Sequence, residues 1–248
     1  MMTPSATNNG TIYKRIMVKL SGEAMGGKGG QGIDPDQVEL IATKIKAVHD
    51  LGVQIAVVVG GGNLWRGALG VSRGMEQSTA DYMGMIATVM NGIALQDALQ
   101  RMGVITRVQT ALEMNKVAEP YIRLRAVRHL EKGRVVVIAG GTGNPYFTTD
   151  TAAALRAMEI NAEIVIKATK VDGIYSSDPH KNPDAVRFDR LTYQQVIEGR
   201  YEVMDLTAFT LCQENKMPIM VLNFWGEDDL RQAVLGHHEV GTLISPTV

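Results

Sequence analysis

Val53-Gln54-Ile55-Ala56-Val57-Val58-Val59 runs straight into Gly60-Gly61-Gly62. A continuous run rich in β-branched residues marks a strand buried on both faces, which implies a central strand of a parallel sheet. Two further strands end in the same way. Lys14 to Leu20 opens onto Ser21-Gly22, and Arg134 to Ala139 opens onto Gly140-Gly141-Thr142-Gly143. In an open parallel sheet, ligands sit beyond the carboxyl ends of the strands, where glycine lets backbone N–H groups approach phosphate oxygens. One such turn reads as a tight strand-to-helix connection. Three together point to several phosphates.

Outward from these strands the pattern alternates. Asp34 is placed to cap a helix with Pro35 at its first position and Gln37 closing a capping box. Val38, Ile41, Ile45 and Val48 then repeat at helical spacing until Gly52 stops it. Ser78 to Met102 is apolar nearly all round and predicts a buried helix, with Gly84, Ala87, Gly92 and Ala94 allowing close approach. Next come a strand at Val104–Val108, a helix at Pro120–Lys132, a helix at Asp150–Met158 and a strand at Glu163–Ala168. A polar excursion spans Asp172–Asp189. Helices at Thr192–Glu198 and Thr207–Asn215, a strand at Pro218–Asn223, a helix at Glu227–Leu235 and an apolar piece at Thr242–Ser245 complete the chain. Strands alternating with helices predict an α/β fold, a three-layer αβα sandwich around a mostly parallel central sheet. No linker divides residues 13–248, which read as a single domain behind a polar, disordered tail at 1–12.

Composition narrows the function. The net charge is −1, from 25 basic and 26 acidic residues, so no general field draws in nucleic acid or an anionic membrane, and any anion site is local. Cys212 is the only cysteine and the five histidines are scattered, which excludes a disulfide framework and a zinc pattern and fits the reducing cytosol. No apolar run reaches membrane-spanning length, and the start of the chain lacks the apolar stretch of a secretory signal.

Around the glycine turns stand Lys19, Arg66, Thr148, Thr149 and Lys167, which supply charge or hydrogen-bond donors where phosphates gather. Two familiar nucleotide patterns fail. Gly22 to Lys28 follows P-loop spacing, but Gly29 stands where a Ser or Thr binds magnesium. Gly27, Gly29 and Gly32 match the dinucleotide fingerprint but lie well beyond the strand, and the next strand ends in glycine rather than an acidic ribose partner. No Ser/His/Asp or Cys/His arrangement is present. A phosphate acceptor, already dianionic at neutral pH, needs no general base, so charge neutralisation and alignment suffice.

Several residues carry plainer readings. Asp81 could cap the long helix, Asp205 could cap the helix near Thr207, and Lys167 could reach from its strand end into solvent. Met83, Met85 and Met90 read as core or subunit contacts, Arg123, Arg125 and Arg128 as a solvated helix face, Cys212 as a small buried hydrophobe, and His237-His238 as a surface pair.

Lys19-Leu20-Ser21-Gly22-Glu23, Gly60 to Gly67, Met83-Gly84-Met85, Met90-Asn91-Gly92, Gly143 to Asp150, Lys167 to Gly173 and Val203-Met204-Asp205-Leu206 resemble the bacterial UMP kinases, members of the amino acid kinase superfamily. The resemblance extends from Tyr13 to Pro246. It implies ATP-dependent conversion of UMP to UDP, with the N-terminal half mainly serving the monophosphate and the C-terminal half mainly serving ATP. Carried over by motif, Lys19, Leu20, Ser21, Gly22, Gly62 and Arg66 would meet ATP phosphates, and Thr169, Tyr175 and Asp178 would surround its base and ribose. Gly61 and Asp81 would contact UMP, and Thr142, Gly143, Asn144, Pro145, Tyr146, Phe147, Thr148 and Thr149 would close over it. Lys19, Lys167 and Asp205 are the catalytic candidates, with Lys167 stabilising developing charge and Asp205 orienting the lysines. The resemblance further implies Mg²⁺ held through ATP phosphates and water rather than by protein side chains, a homohexamer, GTP activation and UTP inhibition. Two features depart from the family pattern: the unusually glycine-rich segment Gly26–Gly32, and Tyr82 in place of a histidine found in many members.

Overall fold

A computed structural model describes residues 10–27, 29–179 and 181–247. The glycine-ended runs form β1 (Arg15–Leu20), β2 (Gln54–Val59) and β5 (Val135–Ala139), with β3 (Thr106–Thr110) and β4 (Glu119–Pro120) between the last two in sequence. Further on lie β6 (Ile164–Thr169), β7 (Ile174–Tyr175), β8 (Arg187–Phe188), β9 (Arg190–Thr192), β10 (Ile219–Asn223) and β11 (Gly241–Ser245). Among the described residues the main sheet has nine strands in the order β4-β3-β5-β2-β1-β6-β10-β11-β9. All neighbours are parallel except β10 and β11.

The helices are α1 (Pro35–His49), α2 (Gly67–Val71), α3 (Gln77–Arg101), α4 (Arg123–Glu131), α5 (Thr149–Glu159), α6 (Tyr193–Gly199), α7 (Leu206–Glu214) and α8 (Asp229–Leu235). The two-residue period of each strand sends alternate side chains to opposite layers. On one side Val18, Val57, Val137 and Ile166 pack with Ile41 and Ile45 of α1, Leu95 and Leu99 of α3, and Val234 of α8. On the other, Met17, Val58, Ile138 and Val165 pack with Leu130 of α4, Ala153 and Ala157 of α5, and Phe209 and Cys212 of α7. This is the expected three-layer sandwich. Alanines on α5 bring that helix close to the sheet, where its first turn meets the end of β1.

Some local expectations are corrected. Asp34 does cap α1, accepting from the N–H groups of Asp36 and Gln37, but a full capping box is found at Thr192 and Gln195 on α6. The helix expected from Pro120 starts at Arg123, because Glu119–Pro120 pairs with β3 at the sheet edge, where a residue without an N–H is tolerated. The polar excursion contains the antiparallel pair β7–β8 and ends at β9. Helix α3 is buried along one side only, since Tyr82, Met83, Ile86 and Met90 face outward. Residues 1–9 of the expected tail lie outside the described residues, as does Lys28 of the rejected P-loop match. The tail boundary moves: Thr11 is buried and Ile12 N–H donates to Val234 O at 2.9 Å, so the fold engages the chain before Tyr13.

Candidate active site

The site lies beyond the carboxyl ends of the central strands. Lys19 and Lys167 are direct register partners on β1 and β6. Their neighbours Val18, Leu20, Ile166 and Ala168 enter the α1/α3 layer, so strand alternation turns both lysines toward α5. There Asp150 receives them, with Lys19 Nζ 2.7 Å from Oδ1 and Lys167 Nζ 3.0 Å from Oδ2. Lys167 also donates to Val203 O at 2.5 Å. Burial works against the charge on Asp150, yet the pull of Lys19 and Lys167 and their hydrogen bonds outweighs it and holds the pKa below the ordinary carboxylate value.

A cavity of about 290 Å³ opens on one side of this triad, beyond β2 and β5. Gly61, Gly62, Arg66, Asp81, Phe147, Thr148 and Thr149 all line it. Its floor depends on bare backbone: a methyl group on Gly22 would come within 2.7 Å of Gly60 O and Gly62 N, and one on Gly61 within 2.6 Å of Gly84 O. Thr148 caps α5 by accepting from the N–H groups of Asp150 and Thr151, so a helix N-terminus faces the cavity. Arg66 is paired with Glu23 at its rim.

A second cavity, about 410 Å³, lies beyond β6 and β10. Lys167, Thr169, Val171, Tyr175, Asp178 and Val203 are among its walls. Thr169 Oγ1 donates to Val171 O at 2.6 Å, and Tyr175 OH donates to Asp172 Oδ1 at 2.8 Å. Because β1 lies between β2 and β6 in the sheet, Lys19 stands between the two cavities.

The expected residues are distributed as follows. Leu20 is buried, and its carbonyl accepts from Gly60 N–H, tying the first glycine turn to the second; Ser21 and Gly22 continue that turn. Gly62 and Arg66, assigned to ATP phosphates by resemblance, share a cavity with Gly61 and Asp81. Thr142, Gly143, Asn144, Pro145 and Tyr146 stay on the loop outside the cavity lining. That loop is fastened at its tip, where Tyr146 N–H donates to Asp81 Oδ2 at 2.8 Å. Asp81 also accepts from Gln77 Nε2, one turn earlier on α3, and the N-cap of that helix is Glu76, so Asp81 is not its cap.

Among the described contacts, Asp205 is not the direct partner of either lysine, and its reading as the cap of α7 is borne out. It caps α7 through Ala208 N–H and accepts from the hydroxyls of Thr148 and Thr151, the latter at 3.1 Å. The carboxylate between the lysines is Asp150, which sequence reasoning passed over because an acid in the first helical turn reads as a complement to the helix dipole. Asn91 was also missed: it is fully buried on α3 and donates to Gly60 O at 2.7 Å while exchanging hydrogen bonds with Asn63, steadying the second glycine turn. A lone asparagine within an apolar helix was the available signal. Cys212, buried beneath this region, has its thiol pKa pushed up to about 12, chiefly by burial, and is no nucleophile.

Backbone turns, paired lysines and two cavities beyond the carboxyl ends of one sheet define a phosphoryl-transfer class of site. Residues 14–223 match the amino acid kinase family, and the chain belongs to that family. Within it, the likeness is to UMP kinases. The solved UMP kinase from Bacillus anthracis is 39% identical, with a TM-score of 0.92 over 95% of this chain and 97% of its own. That from Ureaplasma parvum is 34% identical, with a TM-score of 0.87 over 94% and 98%. The uridylate kinase from Archaeoglobus fulgidus is 32% identical, with a TM-score of 0.71 over 93% and 99%.

Proposed function

We propose that this protein transfers the γ-phosphoryl group of ATP to UMP, giving UDP and ADP. The observation that carries this reading is the position of Lys19 and Lys167, bridged by Asp150, between two cavities at the end of one sheet. Likeness to solved UMP kinases across nearly the whole chain supports UMP as acceptor. The cavity beyond β2 and β5, in the N-terminal half, takes the monophosphate; the one beyond β6 and β10, in the C-terminal half, takes ATP.

In the reaction an oxygen of the UMP phosphate forms a bond to Pγ as the bond from Pγ to the bridging oxygen of ADP breaks, and ADP leaves with the electron pair. The acceptor is already a dianion, so no side chain removes a proton. Lys19 and Lys167 stabilise charge on the transferring oxygens, and Asp150 sets the spacing of their ammonium groups. Magnesium held through the ATP phosphates and water, as the family resemblance implies, would neutralise part of the charge on the transferring group. The outward apolar stripe Met83, Ile86 and Met90 on α3 supports self-association, and the family resemblance supports a homohexamer under GTP and UTP control. Among the described residues no helix is long and apolar enough to cross a membrane; a cytoplasmic enzyme is the reading that accords with this and with the single cysteine.

The test is an acceptor panel. With MgATP, UDP forms from UMP at a rate well above ADP release with CMP, acetylglutamate or carbamate. Turnover of one of those acceptors with none of UMP would overturn the reading.

A further inference from the structure

Arg156 sits two turns into α5, only 6% exposed, where it makes no approach to either cavity. Its guanidinium instead reaches back to the root of the loop that leaves β5. Nη2 donates to Gly141 O at 3.4 Å and to Thr142 O at 3.2 Å. Nη1 donates to Glu159 Oε2 at 2.8 Å, and the guanidinium carbon lies 4.1 Å from the centre of the Tyr121 ring. Tyr121 OH in turn donates to Glu159 Oε2 at 2.7 Å, completing the seat.

Gly141 lines the cavity beyond β2 and β5. A trans peptide directs C=O and the following N–H to opposite sides. Holding the carbonyls of Gly141 and Thr142 toward the guanidinium therefore turns the N–H groups of Thr142 and Gly143 away from it. Gly143 N–H is used internally, donating to Gly140 O at 3.0 Å, while Gly140 N–H donates to Thr88 Oγ1 at 2.7 Å. Gly140, Gly141 and Gly143 all have positive φ, a conformation that is inexpensive for glycine but unsupported by regular backbone hydrogen bonding. The loop root is thus a glycine-rich segment held from behind by a buried charge. Among the described residues Arg156 Nε is buried without an acceptor, an arrangement that stability alone does not favour.

We propose that Arg156 is a positioning residue for the acceptor: it fixes the root of the 140–148 loop so that Gly141 and the residues following it present the correct surface to the monophosphate. The proposal rests on the kinase reading above, and its own prediction concerns the balance between the two substrates. Lysine at this position keeps the charge but cannot hold the two carbonyls, Glu159 and the face of Tyr121 at the same time.

The experiment compares Arg156→Lys and Arg156→Gln with Glu159→Gln and the parent protein. In the arginine variants the KM for UMP rises about tenfold, the scale of one charge-assisted hydrogen bond, while the KM for ATP stays within about twofold. Glu159→Gln lowers Tm but leaves the KM for UMP within about twofold, because the fork to Gly141 and Thr142 remains. Limited proteolysis without substrate cuts the loop faster in Arg156→Lys than in the parent; this readout holds even if the parent uses a different acceptor. A folded Arg156→Lys with parental UMP KM and parental loop cleavage would overturn the proposal, as would an equal rise in both KM values. If neither arginine variant folds, Glu159→Gln must still separate Tm from KM, and a UMP KM that rises with its loss of stability would count against the proposal.

Discussion

Lys19 and Lys167 stand side by side in register on β1 and β6, and their ammonium groups converge on the single carboxylate of Asp150. The pairing places two positive charges at the ends of adjacent strands, with Lys167 in the wall of the cavity beyond β6 and β10 and Lys19 one strand nearer the other cavity. Like charges so close would repel without the intervening anion. Asp150 is therefore a structural clasp and, on the kinase reading, the group that sets where the ammonium groups would meet phosphate.

Replacing Lys19 with alanine removes a donor from the transferring group while leaving β1 in place. We expect kcat to fall by about 10²–10³-fold, the scale of losing one preorganised donor to developing charge. The drop is read in a coupled ADP-release assay at saturating UMP. Parental kcat in Lys19→Ala would remove the residue from the chemistry.

Asp150 gives a pH signature. Its folded pKa is depressed, so the stabilisation it provides is fully present above the unfolded carboxylate pKa and is lost as pH falls through the folded value. The stability difference between the parent and Asp150→Asn is then constant above about pH 5 and shrinks below about pH 4. Urea unfolding from pH 3 to 7 measures this; a difference that does not change with pH contradicts it.

Asp81 holds the loop tip through Tyr146 N–H and lines the cavity assigned to the monophosphate. Asp81→Asn should raise the KM for UMP about tenfold, with the KM for ATP nearly unchanged. A matching rise for both substrates would show that the two cavities are not divided as proposed.

Asp205→Ala removes an N-cap as well as the tie to Thr148 and Thr151. A cost of about 1 kcal/mol in unfolding free energy follows from the cap alone. Asp205→Asn keeps an acceptor for Ala208 N–H and recovers most of it. Equal destabilisation in the two variants would show that the cap is not what holds this end of α7.

The exposed stripe on α3 predicts association. Ile86→Glu, which places a charge in the middle of that stripe, should lower the mass seen in sedimentation while leaving the monomer folded. An unchanged mass would contradict association through this stripe.

The sheet and its polarity could be read directly from residues, because Val53–Val59 and its companion runs are continuous, rich in β-branched residues and end in glycine, as buried parallel strands do. Lys19 and Lys167 were legible for the same reason, as charges at the ends of apolar strands. Asp150 drew no assignment, and Asp205 was left between a cap for α7, which it is, and a partner of the lysines. Both are acids at helix starts, where local sequence cannot tell a cap from a partner brought in by tertiary packing. Arg156 was invisible for a related reason: an arginine in a helix reads as exposed until packing shows Tyr121, Glu159 and the loop carbonyls around it. For Met83, Met85 and Met90 of α3 the choice between core and subunit contact stayed open, since apolarity all round a helix does not say whether the cover is its own core or another surface.

The division of the site is tested most directly by a crystal structure with UMP and a non-hydrolysable ATP analogue bound together. We expect the UMP phosphate against Gly61, Arg66 and the start of α5, the ATP base near Thr169 and Tyr175, and the γ-phosphate facing Lys19 and Lys167. Both nucleotides on the same side of β1, or either one remote from the paired lysines, would contradict the account.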